Sequence, residues 1–172
     1  MIIAGIGSRK TPLEIARLMT SAAAWMSSQN WRLRSGGATG ADSAWESGWK
    51  GSGEIFLPFD GFNGKNVGER GGLQYIVPDF NADLIRLAAR IHPNWAACNP
   101  LARKLHARNG CQVLGQDLKS PASAIICWTV NGGGGTAQAL RIARANGIPI
   151  LDLNTSGPRK ALWAFCQKLG AG

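Results

Sequence analysis

Three glycine-containing turns are the part of this sequence whose residue types and spacing point most directly to chemistry. They read GIGSRKTP (5–12), RSGGATGADSA (34–44) and WTVNGGGGTAQAL (128–140). Glycine lets a ligand approach the backbone closely, and the first turn of a helix offers unpaired N–H groups and a partial positive charge. The three turns therefore predict a crevice, lined with backbone amides, that holds an anion the size of a nucleotide.

The third turn carries the strongest signal because Gly132 to Gly135 are consecutive glycines. Each glycine costs roughly 0.5–1 kcal/mol of extra backbone entropy on ordering. A phosphate at the N-terminus of a helix beginning at Thr136 would use the exposed amides. No turn matches GxxxxGK[ST], or a GxGxxG followed by the acidic residue that holds a ribose. An ordinary kinase, ATPase or dehydrogenase is therefore not expected.

The elements that must position these turns alternate between short apolar runs and helix-periodic segments. The strands are predicted at 2–5, 31–34, 54–58, 123–130 and 148–153, and the helices at 12–28, 40–50, 81–92, 100–109, 136–146 and 158–169. Gly110 is expected to end the 100–109 helix, and the aperiodic stretch 59–75 is expected to be a long surface loop able to act as a lid. The pattern predicts an α/β fold: a doubly wound, Rossmann-like, mostly parallel sheet flanked by helices.

Composition indicates an ordinary globular protein. The chain has 172 residues, of which 45% are hydrophobic, and we expect residues 1–172 to form a single domain. The apolar run at 1–6 is too short for a signal sequence, and no stretch approaches the ~20 apolar residues of a membrane span. We therefore expect a cytoplasmic protein.

The formal net charge of +9 suits a partner that is a polyanion or an anionic metabolite. Between residues 84 and 151 the only acid is Asp117. The basic residues of that segment are Arg86, Arg90, Arg103, Lys104, Arg108, Lys119, Arg141 and Arg144. A solvated basic face and a surface for nucleic acid or nucleotide both fit this distribution.

The cysteines and histidines give no metal-binding pattern. The four cysteines have no CxxC spacing, and His92 and His106 are not at zinc-ligand offsets from them. We expect free thiols, no metal site and no cofactor.

Four stretches together resemble the SLOG superfamily: GIGSRKTP, RSGGATGADSAWE, ARNGCQVLG and GGGGTAQALRIARANGIPILDL. This Rossmann-like group includes the DNA-processing protein DprA, the LOG phosphoribohydrolases and nucleotide-sensing domains of antiphage systems. The resemblance runs from residue 2 to about residue 153 and is strongest to short stand-alone DprA-like proteins of bacteriophages. The resemblance implies that the protein forms homo-oligomers. If the source is a phage, it also implies that the protein is located in the cytoplasm of a bacterial host.

The resemblance implies roles for particular residues. Gly7, Ser8 and Arg9 would form one wall of the site, and Ser35, Gly36, Gly37, Gly40 and Asp42 would form its floor. A phosphate would be bound by Gly133, Gly134, Gly135 and Thr136. Arg108 and Asn109 would supply an Arg-Asn pair that also contacts the phosphate. Asp42 fits equally a residue that complements its helix dipole. Arg103 and Lys104 fit plain helix surface better than the site.

Departures from the family pattern bear on catalysis. The LOG enzymes carry PGGxGTxxE, in which the glutamate assists cleavage of an N-glycosidic bond. Here Asn131 replaces the proline and Ala139 the glutamate, with Gln138 beside it. Neither side chain can act as a general base, so such hydrolysis would need Asp42 or Glu46 instead. At 172 residues we also expect no counterpart of the winged-helix domain of DprA.

The seven tryptophans are divided between core and surface roles. Trp25 and Trp163 are expected in the core. Trp31, Trp45 and Trp49 suit a packing cluster or an oligomer contact, and Trp95 and Trp128 are candidates for stacking on a base.

Three functions follow from these observations. The first is non-catalytic binding of a phosphorylated nucleotide or a nucleotide-derived signal, for example a phage sponge for a host immune signal such as a cyclic ADP-ribose isomer or a cyclic nucleotide. The second is DprA-like binding of single-stranded DNA. The third is LOG-like N-glycosidic hydrolysis of a nucleotide.

Overall fold

The computed structural model describes residues 1–130 and 134–170, which contain seven strands and six helices. The strands are β1 (Ile2–Gly5), β2 (Arg32–Ser35), β3 (Gly53–Phe56), β4 (Gly68–Arg70), β5 (Leu73–Ile76), β6 (Ala124–Cys127) and β7 (Ile150–Asp152). The helices are α1 (Leu13–Ser28), α2 (Ala41–Gly48), α3 (Ala82–Ile91), α4 (Pro100–Leu114), α5 (Thr136–Ala145) and α6 (Pro158–Gly170).

The strands form one sheet in the order β4-β5-β3-β2-β1-β6-β7. Only the edge strand β4 is antiparallel to its neighbour. Ile3 of β1 is in register with Leu33 of β2 on one side and with Ala124 of β6 on the other. The chain therefore moves outward from β1 in both directions, which places a topological switch point between β1 and β6. The predicted α/β, doubly wound, Rossmann-like fold is confirmed.

Alternation of side chains along the central strands gives the sheet two apolar faces. Ile3 and Ile126 pack with α1, α2 and α6, whereas Ala4 and Ile125 pack with α4 and α5 on the opposite face. Helices cover both faces, which explains why β1 (IIAG) and β6 (AIIC) contain no charged residue. Within the described parts of the chain, no helix has the length and apolar character needed to cross a bilayer.

Tryptophans fill much of the α1 and α2 layer. The Trp25 ring lies edge-on to Trp163 with centroids 4.9 Å apart, and it also contacts Trp31. Trp45 is fully buried beneath Gly5, where an added Cβ would lie 2.6 Å from the indole. Trp31, Trp45 and Trp49 belong to the buried core, and Trp25 packs against it.

Two sequence predictions about element boundaries are wrong. The stretch 59–75 is not one long loop, because it contains β4 and most of β5. Gly110 does not end a helix, since α4 continues to Leu114 and ends before Gly115, which has a φ of +80°. Gly110 instead lets α4 approach α3, where an added Cβ would lie 3.0 Å from Leu84 Cδ1.

Candidate functional site

A cleft of about 780 Å³ opens above the switch point, at the carboxyl ends of β1, β2 and β6. Its walls are the turn after β1, the start of α2, the inner face of α4 and the turn before α5. The described residues that line it are Ile6, Gly7, Ser8, Arg9, Lys10, Ala38, Asp42, His92, Ala102, Leu105, His106, Arg108, Asn109, Gln112, Val130, Gly134, Gly135 and Thr136. Loops after β1 and β6 leave toward opposite faces of the sheet, so they separate and create this space.

The turn after β1 is held against the end of β6. The amide of Ser8 donates to the carbonyl of Trp128 at 2.9 Å. An added Cβ on Gly7 would lie 2.7 Å from the Ala41 side chain and 2.8 Å from that same carbonyl. Only glycine fits at position 7, because the backbone there lies so close to Ala41 and to the Trp128 carbonyl. This close packing holds the turn after β1 against the start of α2.

The turn after β2 forms the floor beneath this wall. Ser35 Oγ donates to the carbonyl of Gly5 at 2.7 Å, which ties β2 to β1. Gly40 has a φ of +79°, and an added Cβ would lie 2.5 Å from the Ser8 carbonyl. These two residues support the cleft and do not line it.

Arg108 reaches from α4 over this floor. The side chain is buried, and an added Cβ on Gly36 would lie 1.5 Å from its Nη1. Arg108 Nε is a buried donor with no hydrogen-bond partner, and no carboxylate of the described residues lies within 4.0 Å of the guanidinium. Burial lowers the pKa of Arg108, and the attraction of Asp42 partly opposes that shift.

Asp42 lies at the start of α2 on the other side of the cleft. It is buried, and its Oδ2 accepts from the amide of Ala38 at 3.3 Å. Burial raises the pKa of Asp42, and this effect outweighs the opposing influence of Arg108, the Ala38 amide and Lys65. The acid and Arg108 therefore face one space without forming an ion pair, so the cation remains available to an anionic ligand.

Asn109 connects α4 to the turn before α5. Its Nδ2 donates to the Gly135 carbonyl at 2.9 Å, and its side chain is buried. Gly134 has a φ of +73°, a conformation that glycine adopts without strain. Gly134, Gly135 and Thr136 line the cleft, so the N-terminus of α5 borders it. Gly133 and Asn131 lie outside the described residues.

Of the residues expected at the site, nine line the cleft: Gly7, Ser8, Arg9, Asp42, Arg108, Asn109, Gly134, Gly135 and Thr136. Ser35, Gly36, Gly37 and Gly40 form the layer below. Trp95 and Trp128 do not line the cleft, although both are only partly buried. Trp95 instead makes a cation–π contact with Arg103, whose Cζ lies 5.6 Å from the ring centroid.

The segment after β3 is fixed to the floor. Lys65 Nζ donates to the Gly37 carbonyl at 2.9 Å and lies 2.9 Å from Glu46 Oε2. Tyr75 Oη donates to the same carboxylate at 3.3 Å. Burial is the main cause that raises the pKa of Glu46, and burial together with Glu46 raises the pKa of Tyr75 to about 12. These contacts tie the segment predicted as a lid to the turn after β2.

Sequence reasoning missed four polar residues of the cleft, namely Lys10, His92, His106 and Gln112. Helical spacing was the available signal, because residues 102, 105, 106, 109 and 112 share one face of a helix. Gln112 was missed because the helix was predicted to end before Gly110.

Ala139, at the position of the LOG glutamate, is fully buried in the core under β6. Gln138 is also buried, and its Nε2 donates to the Ala88 carbonyl at 2.9 Å. Neither side chain lines the cleft. Asp42 is the carboxylate among the described lining residues.

Neither a protein-family model nor a curated protein sequence matches the chain. Solved structures that are similar to it include a DNA processing protein and a molybdenum cofactor carrier protein. DNA processing protein A from Helicobacter pylori, described for its single-stranded DNA binding mode, gives a TM-score of 0.59 at 16% identity, covering 97% of this chain and 73% of that one. The molybdenum cofactor carrier protein of Chlamydomonas reinhardtii gives 0.46 at 16% identity, covering 99% of this chain and 98% of that one. The chain is a Rossmann-like α/β protein, and it shares this fold with the Helicobacter pylori protein.

Proposed function

We propose that the cleft binds a phosphorylated nucleotide or a nucleotide-derived signal and does not transform it. The observation that carries this proposal is the buried guanidinium of Arg108, which has an unpartnered Nε and faces a cleft of about 780 Å³. A buried charge without a partner is unfavourable, and an anionic ligand relieves it. Guanidinium and phosphate form paired, charge-assisted hydrogen bonds, so phosphate is the group that fits best.

The rest of the cleft matches the remainder of a nucleotide. Its volume lies inside the range of about 300–1,000 Å³ that is usual for small-molecule sites. Gly134, Gly135 and Thr136 line the cleft at the N-terminus of α5, where backbone amides could bind a second phosphate. Ile6, Ala102 and Leu105 add an apolar wall against which a base could lie.

The residues at the LOG positions support the proposal that the ligand is bound without turnover. Ala139 is buried away from the cleft, so the position of the LOG glutamate supplies no general base. The further parts of the proposal, a phage origin, sequestration of a signal such as a cyclic ADP-ribose isomer, and assembly as a homo-oligomer, rest on the family resemblance alone.

DprA-like binding of single-stranded DNA is a second candidate with equal support from the comparisons. Its specific basis is the similarity to the Helicobacter pylori protein together with the net charge of +9. The exposed Arg103 over the partly buried Trp95 would be the first contact surface for such a strand.

A thermal-shift panel of nucleotides, cyclic dinucleotides, ADP-ribose isomers and a short oligonucleotide tests the proposal. The ligand that stabilises the protein is then recovered and analysed by chromatography. We expect one small ligand to bind saturably and to be recovered intact. Recovery of a hydrolysis product would show that the protein is an enzyme and would contradict the proposal. Asp42 would then be the first carboxylate to replace in a search for the catalytic residue.

Two charge-matched variants on α4 separate the two functions. Arg108→Met should weaken small-ligand binding about 10- to 100-fold, because a hydrogen bond to a charged group contributes about 1.5–3 kcal/mol. Arg103→Met removes the same charge from an exposed position and should leave that affinity unchanged. If the oligonucleotide alone binds, weakens steeply as salt rises, and depends on Arg103 but not on Arg108, then the DNA-binding function is the correct one.

A further inference from the structure

A cluster of two histidines and one cysteine lies at the rim of the cleft. His92 is the C-cap residue that follows α3, Cys98 lies in the connection to α4, and His106 lies on the inner face of α4. One potential ligand atom from each residue lies within 4.8 Å of the other two. His92 Nδ1 accepts a hydrogen bond from the Asn94 amide at 3.2 Å, and the other ring nitrogen, Nε2, lies 3.9 Å from Cys98 Sγ. The two imidazole centroids are 4.3 Å apart.

We propose that these three residues form a binding site for a zinc-type transition-metal ion. Thiolate and imidazole are the donors that Zn²⁺ prefers. In a tetrahedral Zn²⁺ site a sulfur and a nitrogen ligand are ~3.6 Å apart, as bond lengths of ~2.3 and ~2.05 Å require. The observed separations need only small side-chain movements to reach that geometry.

Several features of the cluster favour a metal ion that all three side chains coordinate. His106 Nδ1 is buried and has no hydrogen-bond partner. Cys98 is partly exposed, whereas Cys111, Cys127 and Cys166 are all buried, so Cys98 is the thiol a metal ion could reach. Its Sγ lies within hydrogen-bonding distance of the Asn94 carbonyl and the His92 ring.

Three protein ligands leave one coordination position of a tetrahedral ion for water or an oxygen of the bound ligand. His92 and His106 both line the cleft, so that open position is next to the space assigned to the nucleotide. The metal site rests on geometry of its own and does not require the proposed function to be correct.

Titration with Co²⁺ tests this site because Co²⁺ reports its ligands by absorption. The reduced, untagged protein should bind one Co²⁺ per chain, with tetrahedral d–d bands and a thiolate-to-cobalt charge-transfer band, and Zn²⁺ should displace it. Cys98→Ser should abolish the charge-transfer band and lower the Zn²⁺ affinity by at least about 100-fold, since outer-shell changes alone cost 10–100-fold. His106→Gln should abolish the tetrahedral spectrum.

Ala97→Ser is the matched control, because it adds a hydroxyl at the exposed neighbour of Cys98 and keeps all three ligands. Circular dichroism without metal establishes that each variant is folded, so a lost spectrum cannot be attributed to unfolding. The proposal is overturned if the wild-type protein binds less than one equivalent, if its spectrum lacks the charge-transfer band, or if Cys98→Ser binds as tightly as Ala97→Ser. A nucleotide that fails to bind would contradict the proposed function and leave this result unaffected.

Discussion

The guanidinium of Arg108 lies directly against the backbone of Gly36, so closely that an added Cβ would be 1.5 Å from Nη1. This contact connects α4 to the turn after β2. It also explains why a buried cation can lie at the floor of the cleft, since any side chain at Gly36 would take its place.

Replacing Gly36 by alanine should displace the Arg108 guanidinium. We expect a loss of about 1–3 kcal/mol in the free energy of unfolding, which is typical of overpacking, and a loss of small-ligand binding comparable to that of Arg108→Met. Urea denaturation and calorimetric titration measure the two effects. Gly51→Ala is the control, because its Cβ would meet nothing closer than 3.6 Å. Unchanged ligand affinity in Gly36→Ala would contradict the assigned role of Arg108.

Asn109 should affect ligand binding through the turn that it holds. Asn109→Ala removes the hydrogen bond to the Gly135 carbonyl, so we expect a loss of about 1 kcal/mol in stability and several-fold weaker binding. Asn146→Ala removes a similar bond, to the Ile142 carbonyl, at the opposite end of α5. That control should lose stability but bind the ligand normally, and equal affinities for the two variants would refute the positioning role.

Asp42 should make the protein less stable as pH rises. The unfolded acid loses its proton near pH 3.8, whereas burial raises the pKa in the folded protein. Between these values the folded state binds more protons, so the free energy of unfolding falls with increasing pH. Asp42→Asn removes this penalty and should raise stability, relative to wild type, increasingly from about pH 4 upward. Thermal unfolding at a series of pH values measures the difference, and a difference independent of pH would contradict the assignment.

Lys65 compensates the buried carboxylate of Glu46. Lys65→Met leaves that acid with Tyr75 as its remaining hydrogen-bond donor among the described residues, and we expect a loss of about 1–3 kcal/mol in stability. Adding Glu46→Gln should recover part of the loss, because no uncompensated charge is then buried. A double-mutant cycle in urea gives the coupling energy. Strictly additive effects would show that the pair contributes nothing specific.

The sequence by itself determined the fold and most of the cleft. The apolar runs, the helix-periodic segments between them and the glycine turns after β1, β2 and β6 are local signals, and a parallel sheet places all such turns at one edge. Nine of the expected residues consequently line the cleft.

The tertiary structure decided the features that depend on separation in space. The second half of α4 continues past Gly110 because glycine there permits contact with α3, and no local signal separates that use from a helix end. The segment after β3 adds a strand pair because β3 offers an edge on which to pair. His92, Cys98 and His106 are six and eight residues apart in sequence, and only the turn between α3 and α4 brings them together. Arg108 is recognisably cationic from the sequence, but its lack of a partner is a property of burial, which only packing determines.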